Sequence, residues 1–243
     1  TKLIADSFLC LRNSHLFHTN PPKKIIFSVI LWCIPFAAFK AGSSSPVNEM
    51  VKVDECEELY EVMQLDGVVN PVAFRQAVAG YNRIEQRKRD ILTLIDFSKP
   101  STENRLYVFD MRQRKLLFSS VVAHGRNSGG NYATSFSNKQ GSYKRSLGFY
   151  LTESTYQGRN GYSLILEGLE KGINDCARER AIVIHGASYA NPSVIPSSGR
   201  LGRSLGCPAL PQKLSRPIID AIKGGSVIYI YADQPDYLTQ SSI

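Results

Sequence analysis

The 243-residue chain is 43% apolar and 21% charged, which excludes a disordered protein and leaves room for one large domain with accessories. Its net charge of +8 is uneven: residues 1–41 hold five Lys/Arg against one acid. The surplus over the rest is small and scattered, so a nucleic-acid groove, which needs a clustered basic face, is excluded. Five cysteines, at 10, 33, 56, 176 and 207, show no Cys-x-x-Cys spacing and no histidine at metal-ligand spacing, so neither a zinc site nor any other metal or cofactor is expected.

Residues 1–24 are polar and mildly basic and end in Pro-Pro-Lys-Lys, and residues 25–39 (IIFSVILWCIPFAAF) carry no charge. A Lys-Ala-Gly-Ser-Ser-Ser-Pro run follows. A basic lead, a short apolar core and a small-residue exit describe an export signal. The core is shorter than the roughly 20 residues of a spanning helix, Pro35 interrupts it, and no polar stripe marks it as a buried core helix. Trp32 before Cys33 is too large for a lipoprotein signal. Residues 1–41 therefore read as a signal sequence, or as an uncleaved N-terminal membrane anchor, because Phe39-Lys40-Ala41 departs from a small-x-small cleavage site. The expectation is an exported protein of the periplasm or cell envelope, touching membrane only through such an anchor.

Residues 42–90 read as a linker and a helical cap. An acidic stretch at 54–65 puts Leu59, Val62, Met63 and Leu65 at helical spacing. Asn70 and Pro71 then suit a helix cap and first turn, with Phe74, Ala77, Val78, Tyr81 and Ile84 on one face and a basic end at 86–89. From residue 91 the pattern predicts strands at 91–96, 105–110, 116–123, 147–153, 162–167, 181–185 and 226–232. One late helix, at 211–223, carries Leu214, Ile218, Ile219 and Ile222 on one side. Strands joined by Gly/Asn/Ser turns predict a mainly β domain over 91–233, sandwich or barrel-like, with a small N-terminal helical segment, one or two short helices and a tail at 234–243.

The chemistry concentrates in residues 182–211, where an apolar run ends at His185-Gly186 and a loop returns through Ser204-Leu205-Gly206-Cys207. A thiol needs a neighbouring base, because the thiolate is the attacking species. Free cysteine is more often an inert buried apolar residue, but three features favour chemistry at Cys207. Gly206 permits a tight turn that aims the amides of Gly206 and Cys207 at an oxyanion; Pro208 limits rearrangement; and Arg200 and Arg203 lie within one loop of the thiol, where positive charge lowers its pKa. The Gly/Ser/Asn-rich stretch at 124–150 lacks the Gly-Lys-Ser/Thr ending of a phosphate loop. It reads as a long loop, with His124 after a strand as a candidate to line a pocket. Cys56 and Cys176 form either a disulfide or two buried thiols.

His185-Gly186, seventeen intervening residues and Ser204-Leu205-Gly206-Cys207 resemble the HG…S-x-G-C signature of the L,D-transpeptidase catalytic domain family (YkuD-like), which makes or trims peptidoglycan peptides with a cysteine nucleophile. The resemblance extends to Val122-Ala123-His124-Gly125, Ala133-Thr134-Ser135-Phe136-Ser137-Asn138, Gly148-Phe149-Tyr150, Ala177-Arg178-Glu179-Arg180-Ala181 and Gly202-Arg203, covering roughly residues 90–232. It implies a site built from Cys207, His185, Gly206 and Ser204, with Arg203, Arg200, Gly186, His124 and Tyr150 at the substrate, peptidoglycan stem peptides as partner, and a monomer. It also implies a thioester acyl-enzyme, with release of D-alanine and a 3→3 cross-link, or hydrolysis as an L,D-carboxypeptidase; a non-catalytic wall-binding module is the alternative of another class. Two departures bear on specificity. Pro208-Ala209 stands where the family carries a branched apolar residue and then Arg or Asn, and Ser137-Asn138-Lys139-Gln140-Gly141 replaces a Thr-Pro-x-Gly turn.

Overall fold

A computed structural model of the chain describes residues 55–243. The export or anchor segment expected at 1–41 lies outside these residues. Among the described residues, no helix is long and apolar enough to cross a membrane.

The helical cap forms as its sequence dictates. Helix α1 covers 55–62, and α2 spans Pro71–Arg83. The Asn70 side chain accepts from the amides of Val72 (2.9 Å) and Ala73 (3.3 Å), satisfying two of the donors that a helix start leaves unpaired. Phe74, Ala77, Val78 and Tyr81 are buried along one face. The basic stretch after it is not helical. Arg87 instead folds back over the Tyr81 ring, its Nη1 donating to the carbonyls of Tyr81 (3.2 Å) and Ile84 (2.7 Å). It serves the helix C-terminus from outside the helix.

The main domain is one eight-stranded mixed sheet: β1 Ile91–Asp96, β2 Leu106–Asp110, β3 Lys115–Ser120, β4 Gly148–Gly158, β5 Gly161–Gly168, β6 Val183–Ala187, β7 Ala209–Pro211 and β8 Val227–Tyr231. Their order is β3-β2-β1-β8-β4-β5-β6-β7. Its two ends meet just beyond β3. The Ala123 amide donates to the Ala209 carbonyl (2.8 Å) and the Ala209 amide returns a bond to Ala123 (3.3 Å). The sheet is therefore nearly closed, a barrel, which removes most of its free edge. β1 and β8 are buried throughout and fill its middle. The α2 helix lies on this region, with Gly80 so close to the Phe149 ring that a side chain there would overlap it.

Three elements differ from the sequence reading. β7 is only three residues long, too short for a periodicity signal, and forms because β6 offers it a parallel partner. After the one-turn α3 (Ile195–Ser198), Leu214 of α4 (Gln212–Ile222) faces outward while Ile218, Ile219 and Ile222 are buried. The tail contains α5, Pro235–Gln240, held by Tyr237, whose hydroxyl donates to buried Glu170 (3.1 Å) alongside Ser241. Cys56 and Cys176 are free thiols.

Candidate active site

The β6–β7 end of the sheet carries the candidate chemistry. β6 and β7 run parallel with His185 opposite Ala209, and Cys207 lies two residues before that partner, in the bend that leads into β7. Neighbouring strands are about 4.8 Å apart, so this register brings the cysteine bend close to the histidine strand. The chain enters β6 through a turn closed by Ile182 N donating to Ala177 O and Ala181 N to Arg178 O, both 3.0 Å, a Schellman pattern. The left-handed position belongs to Ala181 (φ 50°), where glycine is usual. The carbonyl of that strained residue is the acceptor nearest the Cys207 thiol, at 3.7 Å.

His185 is 5% exposed. Its Nδ1 contacts the Gly186 carbonyl at 3.1 Å. A carbonyl only accepts, so Nδ1 carries the hydrogen and Nε2 keeps its lone pair. Burial holds the imidazole below its ordinary pKa, which the Gly186 bond partly offsets, so the ring is neutral at neutral pH. The imidazole is thus oriented by a backbone carbonyl, while the Ser204 hydroxyl is engaged with Cys207 and Gly206. Cys207 is half-buried. Burial pushes its thiol up, while the Val183 amide, Arg145 and Arg180 pull it down without reversing the direction. The resting pair is thus a neutral thiol and a neutral base.

Ser204 shapes the turn that presents the sulfur. Its hydroxyl donates to the Cys207 carbonyl (2.6 Å) and accepts from the Gly206 amide (3.0 Å). That corrects one expectation: the Gly206 amide is already engaged, whereas the Cys207 amide has no protein acceptor among the described residues. Gly206 (φ 129°) is packed so closely that an added Cβ would sit 3.1 Å from Ile182 Cδ1 and 3.2 Å from the Lys144 carbonyl. Gly125 approaches from the other side, where its own Cβ would lie 3.1 Å from Gly206 Cα. Tyr189, which the sequence did not single out, lies near Cys207; burial above all pushes its phenol up to about 12, so it is neutral.

The expected substrate residues divide. Arg203 is exposed, and its Nη1 donates to the carbonyls of Arg126 (3.1 Å) and Gly129 (2.9 Å). Arg200 donates to the Leu201 carbonyl at 2.8 Å. The cations acting on the thiol are Arg145 and Arg180, not these two. Gly186 lies against α4, where a Cβ would overlap Ser215. His124 and Tyr150 are corrections. His124 is 1% exposed, and its Nδ1 accepts from Arg105 Nη2 at 2.8 Å, so it braces the barrel and lines no pocket. Tyr150 is buried, its hydroxyl donating to the Ser146 carbonyl at 3.0 Å. Among the described residues no cluster of three or more His, Cys, Asp or Glu side chains is placed to hold a metal ion.

The family model described as the L,D-transpeptidase catalytic domain (YkuD_2) matches residues 66–231. The chain belongs to this family. Among solved structures it is similar to an L,D-transpeptidase from Mycobacterium smegmatis, with 13% identity, 59% of each chain covered and a TM-score of 0.37. The helical cell shape determining protein Pgp2 from Campylobacter jejuni also matches, at 13% identity over 61% of this chain and 50% of that one, with a TM-score of 0.41. An L,D-transpeptidase from Mycobacterium tuberculosis H37Rv shares 15% identity over 58% of this chain and 57% of its own, with a TM-score of 0.32. The chain thus spans between half and three-fifths of the length of these structures. No curated protein matches.

The departures from the L,D-transpeptidase pattern have physical counterparts. Ala209, where the family pattern has Arg or Asn, is fully buried among Val121, Ala123, Ala187, Ala190 and Leu201, with no space for a longer side chain. The Ser137–Gly141 turn docks on the 175–180 turn: Asn138 Nδ2 donates to Asp175 Oδ1 (2.6 Å) and Arg180 Nη1 to the Ser137 carbonyl (2.8 Å). The loop beside the cysteine is thereby fixed by the segment that leads into the histidine strand.

Proposed function

We propose that the protein is a peptidoglycan L,D-transpeptidase of the cell envelope, with Cys207 as nucleophile and His185 as base. Family membership supplies the reaction class. The observation that supports the residue assignment is the β6–β7 register, which sets His185 beside the bend that carries Cys207, together with the Gly186 contact, which leaves Nε2 of a neutral His185 with its lone pair. The thiol hands its proton to Nε2, and the sulfur attacks the carbonyl between the third residue of a tetrapeptide stem and its terminal D-alanine. The Cys207 amide, which has no protein acceptor among the described residues, is the donor proposed for the oxyanion. D-Alanine leaves with the proton from His185, giving a thioester. The amine of a neighbouring stem then attacks, forming the 3→3 cross-link and returning the thiol. Exposed Arg126 and Arg203, which make no ion pair among the described residues, suit the carboxylates of the stem.

The test is mass spectrometry of muropeptides from cells carrying the wild type or Cys207→Ala. The expected result is loss of 3→3 dimers in the variant. Loss of tripeptides alone would make water the acceptor and the enzyme an L,D-carboxypeptidase. An unchanged profile would leave a wall-binding module without chemistry.

A further inference from the structure

Arg145 is fully buried, and none of its three side-chain nitrogens has a hydrogen-bond partner. Its backbone is well anchored: the amide donates to Ser128 Oγ (2.8 Å) and the carbonyl accepts from Ser137 N (2.9 Å). The guanidinium itself has only the Tyr150 ring beneath it, at 4.8 Å. A second cation stands beside it. Arg180 grips the residues on either side of Arg145, through Nη2 to the Lys144 carbonyl (2.5 Å) and Nη1 to Ser146 Oγ (3.3 Å). No carboxylate pairs with either among the described residues. Arginine keeps its proton in proteins, and an uncompensated buried guanidinium is costly.

The groups near enough to act as the missing anion are few. Those that act on Arg145 are Tyr150 and Cys207. Those that act on Arg180 are Tyr150, Cys176, Cys207 and Arg145 itself. Tyr150 is a hydrogen-bond donor to the Ser146 carbonyl, hence a neutral phenol. Cys176 lies beside the Asp175 carboxylate, with its sulfur 4.0 Å from Oδ1. Cys207 remains, and it is in place: a Cβ on Gly206 would sit 3.7 Å from Arg180 Nη2, and the Ala181 carbonyl, one residue past Arg180, is 3.7 Å from the sulfur. The other titratable groups near the cysteine bend are His185 on β6 and neutral Tyr189.

We propose that Arg145 and Arg180 are the counter-charges of the Cys207 thiolate, the anion that buried Arg145 and half-buried Arg180 otherwise lack among the described residues. The inference rests on the cysteine–histidine reading above and adds to it. With the thiol protonated at rest, both cations are uncompensated. They are relieved when the proton moves from Sγ to Nε2 of His185, so the pair favours the charged sulfur and, after it, the oxyanion on the thioester carbon. Both act through charge at the sulfur, not by touching substrate.

The test is iodoacetamide labelling of the full chain from pH 5 to 11, following the Cys207-containing peptide by mass spectrometry so that the other cysteines do not contribute. Wild type is compared with Arg145→Met, Arg145→Lys, Arg180→Met and Arg180→Lys, and D-alanine release from a tetrapeptide stem is measured in parallel. Each Met variant is expected to raise the labelling midpoint by about one pH unit, slowing labelling near pH 7 about tenfold. The Lys variants should recover most of that. Arg145→Met decides the matter if Arg180→Met loosens the loop, because the Arg145 side chain makes no hydrogen bond that could be lost. A midpoint unmoved in a folded Arg145→Met overturns the proposal. Failure of the functional reading looks different: wild type would release no D-alanine whatever the labelling midpoints did.

Discussion

Replacing Ser204 by alanine separates the turn's shape from the thiol's chemistry. The substitution keeps the backbone bonds of Ser204 to His124 (2.9 Å) and from Arg126 (2.8 Å). It deletes the hydroxyl that joins the Gly206 amide to the Cys207 carbonyl, at 3.0 and 2.6 Å. Each such bond contributes about 1 kcal/mol net, and a buried group left unpaired costs about 1–3 kcal/mol. Leu205 beside them is 61% exposed, so water reaches one side of the turn. The lower end of the range applies, about 2 kcal/mol in all, or a melting point lower by about 4–8 °C. Urea unfolding and D-alanine release measured on the same preparation check it. The expected outcome is that loss of stability with a fall in kcat, since the sulfur is no longer aimed. Stability within about 0.5 kcal/mol of wild type would show that the hydroxyl does not hold the turn. A rise in kcat would refute the oxyanion assignment, because it would mean that the freed Gly206 amide is the better donor.

Ala181→Gly is expected to stabilise the protein by about 1 kcal/mol in urea unfolding, because alanine in the left-handed region carries a steric cost that glycine does not. Burial and Arg105 hold His124 at about 4 in the folded protein, below the ordinary value near 6.5. The unfolded chain therefore binds the extra proton first. The stability from a neutral His124 is complete above about pH 6.5 and falls by about 3 kcal/mol on acidification to about pH 4; a His124→Gln variant should lose that slope. His185 is held low by burial as well, so the acid limb of kcat/KM should lie below about pH 6.5, and a limb at or above that value would contradict a buried neutral base.

What the sequence made legible follows the range of the interactions. The capped helix at Asn70-Pro71, the strands at 91–96 and 226–232 and the histidine–cysteine pair are written in local pattern: a cap, β-branched runs, a motif of fixed spacing. β7 was invisible because three residues carry no period, and α5 because its anchor, Glu170, is 67 residues from Tyr237. The charge assignment failed for the same reason. Arg200 and Arg203 are close to Cys207 along the chain, but each turns its Nη1 to carbonyls of Leu201, Arg126 or Gly129, and neither acts on the thiol. Arg145 and Arg180 come from a loop and a turn far away in sequence. The one available signal was that Arg180 leads directly into the histidine strand within a quoted motif.

The same geometry explains how a thiol can be both buried and useful. Burial alone favours the protonated form, and the cations and the Val183 amide oppose it without prevailing. A cysteine set this way is poorly nucleophilic until something removes its proton, and in the proposed mechanism the neutral imidazole of His185 does so. Removing either side of the balance has opposite signs. Loss of the arginines makes the sulfur harder to ionise, while opening the site to water, for instance by Leu201→Ala in the small cluster behind β7, lowers the burial cost and should bring the labelling midpoint down. If Leu201→Ala raised the midpoint instead, desolvation would not be the dominant influence on this sulfur, and the protonated resting state argued above would have to be abandoned.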